Sequence, residues 1–549
     1  MNLSDNKIAS LKASILLAAA AALMAGTALG TERLWVGESG ASWYSDSSWS
    51  PAGKPGQTDT CIFRPDGELT VVISGGTSVC RVGELRFESG KTTFAYSSDT
   101  VGLYMGNTLT NILYVAGDAE AVVSNRFLSL DKTKRFRRTG KGPLTIVAQN
   151  NEWWFYNGNN VFAGCDFAEG ETILAAGGNY PMKDYPVHIE SGAVIRCEGG
   201  YRFRTMQNID IDAGGLLDCG SKTQYAQSLT GAGCITNHEA FIMTLNAGVC
   251  TFAGQFFKKS TGCDVHFQAR PSGMSDEDWG FVIGASNTFA KSRLTLPAGA
   301  GNTIRFAPGV GNFWIEELIG SAGQMLTLED TDGNPVTIRA GSYNNNNSPR
   351  FQGKGDFLSS LSRAVVSSAM MANMTGRLGA CNKATLTLGD NTAANWPDIS
   401  GLGGFLIEDG TVALKNKNAG DVTVGGTTTF CRATSKLTAT APIAFAANAT
   451  IRFEIPPTGL ASGITPLSAP TITLGATTAL SADVAAFRKT LSRKTRLTLA
   501  TATATLDIPD ATLAAANANA YATGCKFVKS GKSLILEVTS TGATILSVR

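Results

Sequence analysis

The chain has 549 residues, and its 46 basic and 44 acidic side chains give a formal net charge of +2 at pH 7. This balance excludes a general nucleic-acid-binding surface and a long acidic tail. Charged residues make up only 16% of the sequence whereas 61 residues are glycine, a composition typical of many short strands joined by tight turns. The length exceeds what one compact core usually holds, so we expect several domains or an elongated repeat architecture.

Residues 1–30 have the three parts of a secretory signal peptide. Lys7 and Lys12 form a short basic region, residues 13–24 form an apolar run, and Ala-Leu-Gly at 28–30 is a small-x-small cleavage site. The apolar run is shorter than the roughly 20 residues that a membrane-spanning helix needs. We therefore expect export of a mature chain with no transmembrane segment, and an uncleaved anchor is the alternative.

Residues 31–63 contain three of the eight tryptophans in the chain, Trp35, Trp43 and Trp49. They precede the first regular alternation of apolar and polar residues. The first rung of a stack of parallel strands has unpaired backbone groups and an open apolar core, which need a cover. We predict that this segment is a Trp-rich N-terminal cap; the alternative is that the rings form a platform for sugars.

From residue 64 to about 440 one pattern repeats: four to seven alternating apolar and polar residues, then a turn rich in Gly, Asn or Asp. Two-residue Asn-Gly or Asp-Gly hairpin turns are few, which argues against a meander of hairpins. Apolar pairs such as Val71 and Ile73 keep one face buried, and stacking such units in parallel produces a continuous core. The pattern predicts an all-β solenoid with about 16 to 19 coils of roughly 20 to 24 residues.

Two parts of the sequence depart from this pattern. Residues 357–374 have apolar positions at helical spacing, and we predict a helix or a lateral loop there. Residues 441–549 are rich in Ala and Thr, with helical patterns at 477–491 and 510–522 between strand-like segments. We predict a separate C-terminal β-rich capping region over 441–549.

The eleven cysteines are an odd number, so at least one is unpaired even in an exported protein. None forms a Cys-x-x-Cys pair for zinc or redox chemistry. Five follow one another at intervals close to one coil each: Cys197, Cys219, Cys234, Cys250 and Cys263. We predict small buried side chains stacked from coil to coil, with a minority in disulfides.

The segments "GKGPLTIVAQNN" at 140–151 and "NNVFAGCDFAEGETILAAG" at 159–177 resemble the autotransporter-associated β-strand repeat. The N-terminal segment is similar to the Trp-rich stretch often found ahead of such repeats, at Trp43, Trp49, 55–56 and 59–63. The resemblance implies a right-handed parallel β-helix displayed outside a bacterial cell, often with a role in adhesion or surface structure. It supplies no catalytic motif. The C-terminal translocator barrel of autotransporters is not found in this sequence.

A row of polar side chains alternates with Ile209 and Ile211. Strand alternation places Asn208, Asp210 and Asp212 on one outward face. Such a carboxylate row could hold Ca²⁺ or supply a general acid and base, since both need converging oxygen atoms. The alternative is a solvated strand face. No other cofactor is indicated by the sequence.

The histidines do not predict a metal site. There are three, His188, His238 and His266, and no pair has the spacing of metal ligands. Asp264 and His266 repeat the outward alternation, with Val265 predicted inward. Signatures of a serine nucleophile or a phosphate-binding loop are absent from the sequence. We therefore assign no catalytic residue.

Consecutive aromatic residues at 152–158 include Trp153, Trp154 and Tyr156. Strand alternation cannot bury neighbouring side chains on one side, so some of these rings are exposed. Exposed aromatic rings stack against the apolar faces of sugars. The alternative is that they cover the edge of a coil or pack under a loop.

A basic segment at 132–141 contains Arg135, Arg137 and Arg138. A local basic patch of this kind could attract an anionic polysaccharide or another cell-envelope component. Nucleic acid is a poor partner for an exported chain, and a solvated turn is the alternative.

Together these features predict a secreted or cell-surface β-helix protein with a structural or adhesive role and glycan binding, without catalysis. The alternative is a carbohydrate-active β-helix enzyme, either a polysaccharide lyase or a glycoside hydrolase. Convergence of three or more carboxylates from neighbouring coils in a groove would favour the enzyme, and a smooth face without such convergence would argue against it.

Overall fold

We analysed a computed structural model of the chain. It describes residues 30–541 except for the following segments: 74–79, 97–101, 107–110, 125, 130–132, 148–162, 176–185, 199–207, 222, 246–247, 259–263, 270–272, 276–278, 298–300, 302, 321–323, 344–349, 361–362, 365–370 and 372. The fold consists of two compact units, Met1–Ala226 (unit 1) and Gln227–Arg549 (unit 2). Within the described part of the chain, neither α-helix reaches the length and hydropathy that a membrane-spanning segment needs.

Unit 1 contains three sheets of mainly parallel strands. Sheet A has the spatial order Trp49–Ser50, Glu32–Trp35, Thr60–Phe63, Glu84–Phe87, Asn111–Val115, Phe136–Thr139, Cys165–Phe167, Val187–Ile189 and Asn208–Ile211. Sheet B comprises Glu68–Ile73, Gly90–Tyr96, Ala119–Val123, Leu144–Val147, Gly170–Ala175, Ala193–Cys197, Leu216–Asp218 and Gln224–Ala226. Sheet C comprises Cys80–Val82, Gly102–Met105 and Arg126–Ser129.

The parallel ladders of unit 1 join residues about one predicted coil apart. Cys165 pairs with Val187 in sheet A, and Gly170 pairs with Ala193 in sheet B. Alternate side chains point inward, because successive residues of a strand face opposite sides of the sheet. Phe63 and Phe87, neighbours in sheet A, thus stack inside with ring centroids 5.2 Å apart.

Unit 2 contains four sheets. Sheet D comprises Ser228–Gly231, Gly248–Phe252, Trp279–Ile283 and Ile304–Phe306. Sheet E comprises, in chain order, Cys234–Asn237, Phe241–Met243, Gln255–Lys258, Asp264–Phe267, Phe289–Thr295, Asn312–Ile319, Thr337–Tyr343, Phe357–Ser359, Leu378–Ala380, Phe405–Ile407, Thr427–Phe430, Thr450–Glu454 and Ala479–Asp483. Sheet F comprises Met325–Thr327, Arg350–Gly353 and Asn373–Met374.

Sheet G of unit 2 mixes parallel and antiparallel pairs. Its strands are Arg363–Ala364, Ala384–Leu388, Gly410–Leu414, Val422–Val424, Lys436–Ala439, Ile443–Phe445, Leu467–Leu474, Thr495–Asp507, Cys525–Ser530 and Ser533–Val538. The last three strands form an antiparallel group, whereas the pairs among the preceding strands are parallel. Among the described residues, the α-helices are Ala485–Arg488 and Asp510–Ala520, and 3₁₀ turns occur at Asp46–Ser48, Ala393–Asn395 and Tyr521–Thr523.

The all-β class and the parallel pairing of the strands are confirmed. The helix in 510–522 is confirmed by Asp510–Ala520, whereas 477–491 contains a strand followed by the short helix Ala485–Arg488. The prediction of a helix or a lateral loop over 357–374 is wrong at the strands Phe357–Ser359, Arg363–Ala364 and Asn373–Met374. Phe357–Ser359 is instead a strand between two parallel neighbours, because its ladder hydrogen bonds outweigh the helical spacing of its apolar residues. The domain boundaries at 63/64 and 440/441 stay predictions.

Ten cysteines lie in the described residues, and all ten are free thiols. The disulfides expected for a minority are therefore not found among them, and Cys263 lies outside the described residues. Cys197, Cys219 and Cys250 are buried and Cys234 is half-buried. Cys197 and Cys219 are neighbours, because each directly follows one member of the ladder pair of Arg196 with Asp218. Cys234 instead pairs with Gln255, and Cys250 pairs with Phe281. The predicted column of stacked cysteines therefore does not continue through all of them.

The tryptophans of the N-terminal segment are buried. Trp35, Trp43 and Trp49 are 7%, 1% and 2% exposed. The Trp49 ring lies edge-on to both others, at centroid distances of 5.0 and 4.9 Å, and its Nε1 donates to the Trp43 carbonyl oxygen at 2.9 Å. The strand Trp49–Ser50 pairs antiparallel with Glu32–Trp35 at one edge of sheet A. Because the rings are enclosed, they cannot serve as a sugar platform.

Candidate functional site

Two arginines of the basic segment of unit 1 are paired with acidic neighbours. Arg135 donates to both carboxylate oxygens of Asp166, with Nη2 to Oδ1 at 2.6 Å and Nε to Oδ2 at 2.8 Å. Arg137 forms a two-point ion pair with Glu190, in which Nη2 and Oε2 are 3.0 Å apart. These hydrogen bonds, which each arginine donates to its carboxylate partner, raise the pKa of both arginines. These two guanidinium groups are therefore occupied and do not form a free anion-binding patch.

Arg138 does not lie on the surface with its neighbours, as the basic segment predicts, because its side chain lies in the interior of unit 1. It is 0% exposed, and its guanidinium donates to the carbonyl oxygens of Gly140, Gly142, Glu169 and Glu171. Burial lowers its pKa to about 10, so it stays protonated at neutral pH. Phe136 is buried two residues earlier on the same strand, so alternation alone places Arg138 inward. Arg138 is thus not available to a ligand at the surface.

The aromatic candidates Trp153, Trp154 and Tyr156 lie outside the described residues. Their role in stacking against sugars stays a prediction.

Four side chains of sheet A converge on the outward face of three neighbouring strands, and we call them the His188 cluster: Asp166, His188, Asp210 and Asp212. The ladder places Asp166 beside His188 and His188 beside Asp210. His188 Nε2 lies 3.7 Å from Asp210 Oδ2 and 3.3 Å from Asp212 Oδ1, whereas Nδ1 lies 3.8 Å from Asp166 Oδ1. The imidazole thus has carboxylates on both sides.

The sequence indicates part of this cluster. Ile209 and Ile211 are buried and Asp210 and Asp212 point outward, as the alternation predicts. The spacing between the histidines in the sequence does not indicate that His188 belongs to this cluster. It precedes Asp210 by the length of one coil, and residues one coil apart become ladder neighbours. The predicted coil length is therefore the signal that joins His188 to the aspartates.

Asp264 and His266 form a simpler pair in unit 2. His266 Nε2 is 2.8 Å from Asp264 Oδ1, and Asp264 Oδ2 accepts from Thr295 Oγ1 at 3.1 Å. Asp264 and His266 share one face of the strand, opposite the buried Val265, as predicted, although Asp264 is nearly covered. This pair has one carboxylate at the imidazole, in contrast to the His188 cluster.

A polar groove of about 670 Å³ lies on unit 2, and we call it the Trp314 groove. Its lining residues are Ser286, Asn312, Trp314, Arg339, Cys381, Asn382, Glu408, Asp409 and Arg432. Trp314 is 37% exposed on a strand whose neighbouring residues Phe313 and Ile315 point inward. An aromatic residue at an outward position of this strand is the sequence signal for the groove.

Arg339 fixes the geometry of the groove. It is the ladder neighbour of Trp314, and its guanidinium carbon lies 5.1 Å from the centroid of the Trp314 ring. Its Nε donates to Glu408 Oε2 at 3.2 Å, and Nη2 bonds the other carboxylate oxygen. Two arginines and two carboxylates, those of Glu408 and Asp409, line the groove, so its formal charge is balanced. The arrangement combines an aromatic surface with fixed polar donors and acceptors.

Cys381 is the thiol in the groove lining. It is almost fully buried, and burial is the main cause that raises its pKa to about 11. The thiol is therefore protonated at neutral pH and does not supply a nucleophilic thiolate. Beside it, Asn382 and Lys383 both have left-handed backbone conformations, with φ of 53° and 61°. Such conformations are uncommon for residues with a side chain and often occur near functional sites.

Comparison with known proteins gives no match to any family model, to any curated protein or to any solved structure. The resemblance to autotransporter-associated repeats therefore stays an expectation from the sequence.

Proposed function

We propose that the protein is an exported, surface-exposed structural or adhesive protein that binds glycans through the Trp314 groove without catalysis. The observation that carries this proposal is the exposed Trp314 indole in a groove lined by fixed, charge-balanced polar groups. Binding sites of this type join an apolar stacking surface with a few oriented hydrogen-bonding groups.

The chemistry of the groove favours a neutral glycan. The exposed part of the indole stacks against the apolar face of a sugar ring. Arg339 holds the ring by a cation–π contact, and sugar hydroxyl groups have donors and acceptors nearby in Asn312 and Glu408. An anionic polysaccharide is less suited, because Glu408 and Asp409 offset the charge of the two arginines.

The proposed architecture is a right-handed parallel β-helix with the 31–63 segment as its N-terminal cap. The enclosed tryptophans and the antiparallel strand Trp49–Ser50 at the edge of sheet A support the cap. Export through the signal peptide at 1–30 would place the groove in contact with extracellular or cell-envelope glycans.

A glycan array probed with the tag-free mature chain tests this function. We expect binding to neutral glycans, its loss in Trp314→Ala, and its retention in Trp396→Ala. Trp396 is a matched control because it is a half-buried tryptophan of unit 2 outside the groove lining. Absence of neutral-glycan binding, or equal binding by wild type and Trp314→Ala, contradicts the proposal. Trp153→Ala and Trp154→Ala on the same array test the separate sequence prediction for those residues.

The second candidate function is a carbohydrate-active enzyme, either a lyase or a hydrolase. It is favoured by the convergence of three carboxylates from neighbouring strands on His188. A histidine between carboxylates can act as a general base or acid. Reducing-sugar and unsaturated-product assays on a polysaccharide panel test this candidate. Activity that disappears in His188→Ala supports the enzyme, and inactivity of the wild type on all substrates argues against it.

A further inference from the structure

We propose that the His188 cluster is a binding site for a divalent transition metal ion of the zinc class. The ligands are Nε2 of His188 and one carboxylate oxygen from each of Asp210 and Asp212. The proposal is independent of the glycan-binding function, since it concerns unit 1 and the groove belongs to unit 2.

The positions of the ligand atoms suit one ion. Zinc binds imidazole nitrogen and carboxylate oxygen at about 2.0 to 2.2 Å, so its ligand atoms lie roughly 3.3 to 3.6 Å apart in a tetrahedral site. His188 Nε2 is 3.3 Å from Asp212 Oδ1 and 3.7 Å from Asp210 Oδ2. All three ligand atoms lie within 4.8 Å of one another. Both distances from Nε2 are close to this spacing, and the two half-exposed carboxylates can adjust by side-chain rotation.

The types of ligand distinguish between metal classes. Calcium, which the sequence suggests for Asp210 and Asp212, takes six to eight oxygen ligands. An imidazole nitrogen beside two carboxylates instead suits zinc and related transition ions. His188 is 30% exposed, and the two aspartates are each 49% exposed. The site is therefore open to an entering ion and to water at the remaining coordination position.

Asp166 supplies a second, independent argument for a metal site. Its carboxylate lies on the Nδ1 side of His188 at 3.8 Å, opposite the nitrogen that faces the other two aspartates. Metal-binding histidines commonly direct their second nitrogen toward a carboxylate, which orients the ring and strengthens the ligand. Asp166 is itself held by Arg135 through both oxygens. The structure thus contains an ordered Arg135, Asp166, His188 series ending at the ligand nitrogen.

The ladder makes this arrangement unusual for a simple solvated face. Asp166 and Asp210 occupy the positions on either side of His188 in neighbouring parallel strands. Asp166 is paired with Arg135, whereas Asp210 and Asp212 place two carboxylates on the Nε2 side of the imidazole. Like charges close together on a sheet face are destabilising. A divalent cation between Asp210 and Asp212 relieves this repulsion, and binding through Nε2 leaves Nδ1 on the side of Asp166.

Titration calorimetry of the tag-free, chelator-treated mature chain with Zn²⁺ tests the site. We expect one Zn²⁺ per chain, loss of that binding event in His188→Ala, and at least about tenfold weaker binding in Asp212→Asn. For Asp166→Asn we expect about 10- to 100-fold weaker binding, the usual effect of removing a partner behind a metal ligand. Co²⁺ titration should give the visible absorption bands of a four-coordinate ion in the wild type and lose them in His188→Ala.

His266→Ala is the matched control, because His266 also contacts an aspartate but has a single carboxylate at its imidazole. We expect this variant to bind Zn²⁺ like the wild type. Circular dichroism checks that each variant is folded, and the conservative variant His188→Asn provides a second test if His188→Ala is not. The proposal is overturned if the wild type has no stoichiometric Zn²⁺ site, if folded variants at His188 retain it, or if His266→Ala removes it.

Two further measurements separate this proposal from its alternatives. Ca²⁺ in tenfold excess over Zn²⁺ should leave Zn²⁺ binding in place; displacement by Ca²⁺ would identify an oxygen-type site and reject the transition-metal class. Trp314→Ala should bind Zn²⁺ normally, so failure of the glycan-binding proposal leaves this one intact, and the reverse also holds.

Discussion

Gly379 lies in the ladder of sheet E that passes from Arg339 through Leu358 and Gly379 to Leu406. Arg339 crosses these strands to reach Glu408 in the Trp314 groove. A Cβ atom added at Gly379 would lie 1.6 Å from the backbone oxygen of Leu406 and 2.5 Å from Cδ2 of Leu358. The first contact is with backbone, so it cannot be relieved by rotating a side chain.

We therefore expect Gly379→Ala to destabilise unit 2 strongly. Relieving the contact requires a separation near 3.2 Å, so the two strands must move apart by roughly 1.5 Å, which disrupts ladder hydrogen bonds worth about 1 kcal/mol each. Overpacking adds about 1 to 3 kcal/mol. The expected loss is about 3 to 5 kcal/mol in the free energy of unfolding. With a urea slope of about 3 kcal/mol/M, the midpoint falls by roughly 1 to 1.7 M.

Urea denaturation followed by circular dichroism measures this change, and Gly425→Ala is its control. A Cβ atom at Gly425 would have no atom within 4 Å, and its backbone is not left-handed. We expect this control to change the free energy of unfolding by less than about 0.5 kcal/mol. Equal midpoints for the two variants would refute the close approach of the strands at Gly379.

Three further predictions concern other parts of the fold. Trp49→Ala should lower the free energy of unfolding by about 3 to 5 kcal/mol, because it removes a buried ring and its hydrogen bond to Trp43. An unchanged thermal midpoint would contradict the packing of the three tryptophan rings. Arg137→Ala should lower the free energy of unfolding by about 0 to 1 kcal/mol, because it removes a partly exposed ion pair. Arg138→Ala should lower it by more than about 2 kcal/mol, because several carbonyl oxygens lose a charged donor. Chemical denaturation compares the two variants, and equal effects would contradict the inward placement of Arg138. Cys381 should resist alkylation in the native protein at pH 8, because burial raises its pKa to about 11. The same shift stabilises the folded state below about pH 9, where the thiol is protonated. This contribution to the free energy of unfolding is lost as the pH rises from about 9 to 11. Mass spectrometric mapping of iodoacetamide adducts checks this, and rapid native labelling of Cys381 would be inconsistent with its burial.

Strand alternation allows much of the fold to be predicted, because it depends only on nearest neighbours in the sequence. Ile209 and Ile211 are buried and Asp210 and Asp212 are outward for this reason. Alternation also determines the inward position of Arg138, whereas the charge of its side chain leads to the prediction that it lies at the surface. The carbonyl oxygens that accept from its two terminal nitrogens come from the next coil as well as from its own turn, and their positions are not encoded locally.

The candidate sites depend on register between strands, which alternation does not determine. A shift of one residue between Val187–Ile189 and Asn208–Ile211 would move His188 away from Asp210. The same holds for Arg339, which reaches Glu408 across three steps of the ladder. Coil length gives an approximate register, but the insertions between strands vary. The interval from Phe136 to its ladder partner Cys165 is longer than the interval from Cys165 to its own partner Val187.

Stacked parallel strands create functional sites by combining one side chain from each coil. In several places the outward face places an arginine close to an acidic residue from another coil, as with Arg293 and Glu317 or Arg377 and Asp356. At His188 the ladder instead places an aspartate on each side of an imidazole. Asp166 already has Arg135 as its partner, so the Nε2 side of the imidazole faces Asp210 and Asp212. Because an imidazole nitrogen and two carboxylates meet there, the cluster has the ligand types of a site that shares one bound cation.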